Sequence, residues 1–172
     1  MMKRIAAAAG FALLACTHVA FAQTAAYPSK TIRIIAPFPP GGSVDSVARL
    51  VANELAKPLG QQIVVDNRSG ASGNIGMELA KNAPPDGYTL LLNTLPLVTN
   101  QFLYKQVPYD AIADFAPVAL ISSSPSLLAV HPSLPARSVK ELIALARSQP
   151  GKLNYGSAGT ATNPHIAAEL FN

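Results

Sequence analysis

Cysteine is nearly absent from this 172-residue chain, and that absence is the first constraint. The one cysteine, Cys16, lies in the apolar N-terminal stretch, so the rest of the chain has no disulfide and no thiolate nucleophile. Tryptophan is missing, and only 13% of residues are charged. The three histidines, His18, His131 and His165, stand far apart, which excludes a metal site built on histidine spacing. No cofactor pattern occurs either. Gly41-Gly42 lacks the spacing of a dinucleotide fingerprint, and no Gly-Lys-Ser/Thr phosphate loop follows it. Basic residues are scattered singly between Lys30 and Lys152. That describes a solvated surface and not a nucleic-acid face.

What is abundant is apolar residue, proline and glycine. The first 22 residues read as an export signal. Lys3 and Arg4 are followed by the apolar run Ile5 to Ala15 and by Ala20-Phe21-Ala22, which places cleavage near Ala22/Gln23 and directs the protein to the periplasm. Leu13-Leu14-Ala15-Cys16 resembles a lipobox with a bulky Leu14, so lipidation at Cys16 is the alternative. Removal of Lys3 and Arg4 leaves 11 basic against 9 acidic side chains, close to neutral.

Beyond the leader, strands and helices alternate. Strands are expected at Thr31–Ala36, Gln62–Val65 and Tyr88–Leu92. Helices are expected at Ser43–Lys57, stopped by Pro58 and Gly60, and at Asn74–Asn82 with Ile75, Leu79 and Met77 facing inward. This βαβαβ order predicts a mostly parallel α/β sheet with its ligand site beyond the carboxyl ends of the strands. The loops there are 37–43, 66–73 and 93–100. An irregular segment, 101–117, precedes expected strands at Val118–Ile121 and Ser126–Val130. A helix at Ser138–Ser148 and a strand at Lys152–Tyr155 follow. Asn163-Pro164 then opens a last helix that stops at Asn172 without a cap, which reads as a truncated chain.

Two strand–glycine turn–helix units therefore stand out, 36–45 and 153–165. A helix N-terminus presents unpaired N–H groups and partial positive charge, and glycine lets a ligand approach the backbone. A small anion is the expected partner of such a unit. Asp45 stands in the first helical turn, where the helix dipole and an i,i+4 partner in Arg49 explain it as well as a ligand does. Tyr155-Gly156-Ser157-Ala158-Gly159 approaches a nucleophile elbow, but Tyr155 replaces its first glycine. The only acid and histidine after Ser157 are Glu169 and His165, too close together for a triad. An exported hydrolase is the weaker alternative, and a carboxylate held by serine hydroxyl and glycine N–H groups accounts for the same residues.

With these residues in view, the chain resembles the solute receptors of tripartite tricarboxylate transporters, the Bug receptors of Gram-negative bacteria. The segments that carry the likeness are Tyr27-Pro28-Ser29-Lys30, Pro37 to Asp45 with Ala48-Arg49, Asn67 to Gly76, Pro85 to Leu90, Asp114 to Val118, and Leu153 to Gly159 with His165 and Glu169-Leu170-Phe171. The resemblance implies a two-lobed periplasmic binding protein of type II-like fold, a monomer and not an enzyme, that closes on a small carboxylate. It places the first lobe at 23–121 and the start of an incomplete second lobe at 122–172. By position, Phe38, Gly41, Gly42, Ser43 and Asp45 form one jaw, with Gly70, Ala71 and Thr94 in support. Ser157, Ala158, Gly159, Thr160 and His165 form the other. The implied partners are membrane transporter subunits and, as a second role, the periplasmic domain of a sensor kinase. Family members run to roughly twice this length, as expected for whole α/β proteins of two domains.

Overall fold

The computed structural model describes residues 26–171. The signal sequence, Cys16 and the cleavage site at Ala22/Gln23 lie outside the described residues. Three strands, β1 (Ile32–Ala36), β2 (Ile63–Asn67) and β3 (Thr89–Leu91), form a parallel sheet in the order β2-β1-β3. Ile34 pairs with Val65 on one side and Leu90 on the other, so β1 is the central strand. Its sequence Ile-Arg-Ile-Ile-Ala is almost continuously apolar, as suits a strand covered on both faces.

The covers are α1 (Ser43–Leu59) and α2 (Asn74–Lys81). Val44, Ala48 and Ala52 of α1 pack on Ile34 and Ala36, with Phe38, Val51, Ile63, Val65, Leu90 and Leu92 around them. Successive side chains of a strand point to opposite faces, so Ile35 faces away from this cluster, and it is fully buried. The β1-α1-β2 and β2-α2-β3 connections step across the sheet in opposite directions. With right-handed crossovers this puts the two helices on opposite faces.

One boundary and one buried face differ from the sequence expectation. Helix α1 continues through Pro58 to Leu59 and closes at Gly60, whose left-handed φ of 62° returns its N–H to the Lys57 carbonyl. Proline removes a hydrogen bond only to the carbonyl four residues back, at exposed Glu54, so the last turn tolerates it. In α2 the inward residues are Asn74, Gly76 and Met77, while Ile75 is exposed. Gly76 sets that face: a Cβ there would stand 2.7 Å from Pro37 Cβ and 2.8 Å from the Arg68 carbonyl oxygen, so only glycine admits the helix this close.

A helix α3 (Pro96–Leu103) occupies much of what reads as loop and irregular chain, with Pro96 at its N1/N2 position. Two short helices follow, α4 (Val139–Ser148) and α5 (Asn163–Phe171). The side chain of Ser138 caps α4 by accepting from the Glu141 N–H, and Glu141 accepts in return from the Arg137 N–H. Of the expected apolar face of α4 only Leu142 is buried, and α5 buries no residue.

The expected strands Val118–Ile121, Ser126–Val130 and Lys152–Tyr155 do not form. Lys152 lies in a turn, the other residues adopt no regular structure, and Leu120 and Leu127 are 88% and 91% exposed. A strand is a pairing and not a property of one segment. No neighbouring backbone lies in register with these three among the described residues, so their apolar alternation has nothing to pair with.

Candidate functional site at the carboxyl edge of the sheet

The loops after β1, β2 and β3 emerge at one edge, and side chains from each tie them together. After β1 the chain turns through Pro37 to Gly42, with Gly41 at φ 82°. The Gly41 N–H donates to Asp45 Oδ2 (2.9 Å), Arg49 Nε donates to the same oxygen (3.0 Å), and Arg49 Nη2 stands in ion-pair contact with Oδ1 at 3.0 Å. Asp45 is thus buried under the turn and braces it. The Arg49 guanidinium, followed by the Gly41 N–H, holds its carboxyl well below the usual range, at about 2. Asn67, at the end of β2, donates from Nδ2 to the Phe38 carbonyl (3.1 Å), while its Oδ1 accepts from Arg49 (3.3 Å).

These bonds leave the opening of α1 free. Gly42 is its N-cap with no side-chain cap, and the first intrahelical bond runs from the Ser46 N–H to the Gly42 carbonyl. Among the described residues the N–H groups of Ser43, Val44 and Asp45 reach no main-chain acceptor. Asp45 would oppose an anion there if its charge stood alone. Its pairing with Arg49 makes the local charge neutral, so the partial positive charge of the helix end is not cancelled.

The second loop runs through Gly70, Ala71, Ser72 and Gly73, all at positive φ, into a short 3-10 turn and α2. It lies against the first loop, since a Cβ on Gly73 would stand 3.4 Å from Phe38 Cζ. Beneath it is a buried polar group missed by the sequence reading. Asn100 donates to the Ser72 carbonyl (3.1 Å) and to Asn74 Oδ1 (2.7 Å), and the Tyr109 hydroxyl donates to the same oxygen (3.0 Å). The Tyr104 hydroxyl donates to Ser72 Oγ (2.8 Å). Burial comes first among the influences on Tyr109 and raises the pKa of its phenol.

The glycine turn before α5 meets the rest of the site at one point. Thr99 Oγ1 on α3 donates to the Ala161 carbonyl (3.2 Å), and Ala161 is fully buried at φ 65°. The turn is closed internally: the Thr162 hydroxyl donates to the Gly159 carbonyl (2.6 Å), and the Gly159 N–H donates to Ser157 Oγ (3.4 Å). His165 Nε2 lies 3.9 Å from Glu169, and Glu169 also accepts from the Tyr155 hydroxyl. Among the described residues the partners of Ser157 and His165 are thus separate, the Gly159 N–H for the serine and Glu169 for the histidine.

An open cleft of about 2930 Å³ runs beside these loops. It is lined by Phe38, Gly41, Gly42, Ser43, Thr94 and Ala158 of the expected site residues, together with exposed chain from 111 to 131. Asp45, Gly70, Ala71, Ser157, Gly159, Thr160 and His165 do not line it. Ligand sites of small molecules occupy about 300–1,000 Å³. The cleft as a whole is larger than that, and Phe38, Gly41–Ser43 and Thr94 line part of it.

Residues 47–172 match the family model of the tripartite tricarboxylate transporter family receptor. A protein from the tcbD-tcbE intergenic region of Pseudomonas sp. (strain P51) is 44% identical over 164 residues, which cover 95% of this chain and 49% of that protein. Among solved structures, R. palustris Rpa4515 with adipate superposes at a TM-score of 0.80 with 41% identity, over 84% of this chain and 49% of that one. MatC from Rhodopseudomonas palustris with bound malate gives 0.73 with 32% identity, over 85% and 50%. The chain spans about half the length of the relatives it matches.

Proposed function

Because the chain belongs to the tripartite tricarboxylate transporter receptor family, a family of receptors and not of enzymes, we propose that it captures a small carboxylate in the periplasm and presents it to transporter subunits. The observation that carries this reading is the opening of α1. Three main-chain N–H groups without a main-chain acceptor face a glycine turn, and Asp45 beneath them is neutralised by Arg49. That arrangement binds a carboxylate through backbone donors and requires no cationic side chain at the ligand. The relatives solved with adipate and malate, both dicarboxylates, agree with this chemistry.

On this reading residues 1–22 are the export signal, 23–121 belong to one lobe of a monomer, and 122–172 begin a second. The turn at Ser157–Thr160 with His165 is then the opposing jaw. A sensor kinase domain is a second partner of the same receptor.

Ser43→Pro tests the assignment. Ser43 is the first helical residue, where proline fits, and Gly42 at φ −76° and ψ 172° already has the extended shape that a following proline requires. The change deletes one donor and leaves the helix standing. Calorimetric titration of the whole chain with adipate or malate should show saturable binding, weakened about tenfold by Ser43→Pro at unchanged melting temperature. Absence of binding to either acid, or turnover of an ester that Ser157→Ala abolishes, overturns the reading.

A further inference from the structure

We propose that Asn100 is a positioning residue of this site: from its buried seat on α3 it holds the left-handed run 70–73 in the shape that sets this loop beside Phe38. Four consecutive residues there have positive φ, at 133°, 46°, 54° and 91°. Glycine accepts such angles freely, but Ala71 and Ser72 carry a Cβ that the left-handed region crowds. Something outside the loop must hold them.

Asn100 is fully buried, and its amide group donates at the second residue of the strained pair and again at the first residue of α2, just beyond the run. One amide hydrogen reaches the Ser72 carbonyl at 3.1 Å and the other Asn74 Oδ1 at 2.7 Å. Its own Oδ1 has no hydrogen-bond partner among the described residues, so the residue serves through its two donors. Tyr109 fixes the orientation of Asn74 by donating to the same oxygen at 3.0 Å, but it makes no bond to the loop itself. A leucine of similar size at 100 would leave the Ser72 carbonyl without this donor and free the run to relax. Asn100 does not line the cleft, so any effect on a ligand passes through the loop.

The part of this inference that concerns ligand rests on the carboxylate reading above, and the experiment separates the two. Amide hydrogen exchange on the whole chain compares residues 71–74 with β1 in wild type, Asn100→Leu and Tyr109→Phe, alongside adipate titration. Asn100→Leu should lower protection at 71–74 about tenfold relative to β1 and weaken adipate by a similar factor. Tyr109→Phe, which removes one bond to Asn74 and none to Ser72, should leave the ratio unchanged. Equal loosening of loop and sheet in both variants would make Asn100 merely structural and overturn the proposal. An unchanged ratio in Asn100→Leu would overturn it as well. Loop loosening in Asn100→Leu, with no adipate taken up by the wild type, would sink the carboxylate reading and leave the hold of Asn100 on the loop standing. Asn100→Ser, which keeps one donor, serves in place of Asn100→Leu if the latter does not fold.

Discussion

In the first strand–turn–helix unit, Ile32–Ala36 lies between two parallel neighbours, and α1 beyond the turn buries Val44, Ala48 and Ala52 on it. In the second unit, Lys152–Tyr155 forms no strand, and α5 buries nothing. The two units share a local plan: a short segment that reads as a strand, a glycine turn, and a helix whose third residue pairs with the residue four positions on. Asp45 has Arg49, and His165 has Glu169. They differ in their surroundings. Residues 30–92 bring two more strands and a second helix to the first unit, whereas the second is reached by single side-chain hydrogen bonds, from Thr99 on α3 to the Ala161 carbonyl and from Asn163 to Ser126 Oγ. Local sequence specifies the unit, and neighbouring backbone decides whether it becomes a packed layer.

Side-chain deletions should break this comparison most sharply. Ile35→Ala removes a fully buried side chain from the central strand. It should cost about 3 kcal/mol or more, as large-to-small core changes do. Leu127→Ala deletes a similar side chain at a position 91% exposed. That change should stay within about 0.5 kcal/mol. Denaturant melts of the two variants measure the contrast, and equal losses would show that 118–130 is packed in solution.

Glycines give the next contrast. A Cβ at Gly76 would meet Pro37 and the Arg68 carbonyl under 3.0 Å, with backbone atoms among the obstacles. Gly76→Ala should therefore destabilise by about 1–3 kcal/mol, by forcing α2 off the sheet. Gly156 has nothing within 4 Å of such a Cβ. Gly156→Ala should be neutral or gain about 0.5 kcal/mol by restricting the unfolded chain. A loss at Gly156 comparable to that at Gly76 would mean that the second turn is closely packed.

The same contrast explains what could be read in advance. The order β1-α1-β2-α2-β3 was legible because its signals are local: apolar alternation, helical periodicity, and Pro/Gly punctuation at 58–60 and 84–87. The Asp45–Arg49 pair was legible from its spacing alone. The buried set at the second loop was not, because Asn74, Asn100 and Tyr109 are bonded over separations of 26 and 35 residues. Helix α3 was missed for a related reason. Its one start signal is Pro96, and its fully buried interior residue is the polar Asn100, which periodicity counts as surface. The three strands expected after residue 117 failed because alternation reports the capacity to pair, and the partner is not encoded in the segment.

The smallest effect separates the two helix openings by charge. The Asp45 carboxyl titrates at about 2 against an ordinary 3.8, through the Arg49 guanidinium first and then the Gly41 N–H. A lowered folded-state pKa means that the unfolded chain binds the proton more readily. The contribution of Asp45 is thus complete above about pH 4 and declines as pH falls through 2. Asp45→Asn keeps an acceptor for the Gly41 N–H and gives up the charge. It should lower the melting temperature modestly at pH 7, and the gap from wild type should close between pH 4 and pH 2. Asp66, Asp86, Asp110 and Asp114 have lowered pKa values in both proteins, so the difference between the two melting curves isolates Asp45. His165→Gln at the matching place in α5 should produce a smaller change at pH 7, since His165 braces no glycine turn. A gap that persists unchanged at pH 2 would mean that Asp45 supports the turn by shape and not by its pairing with Arg49.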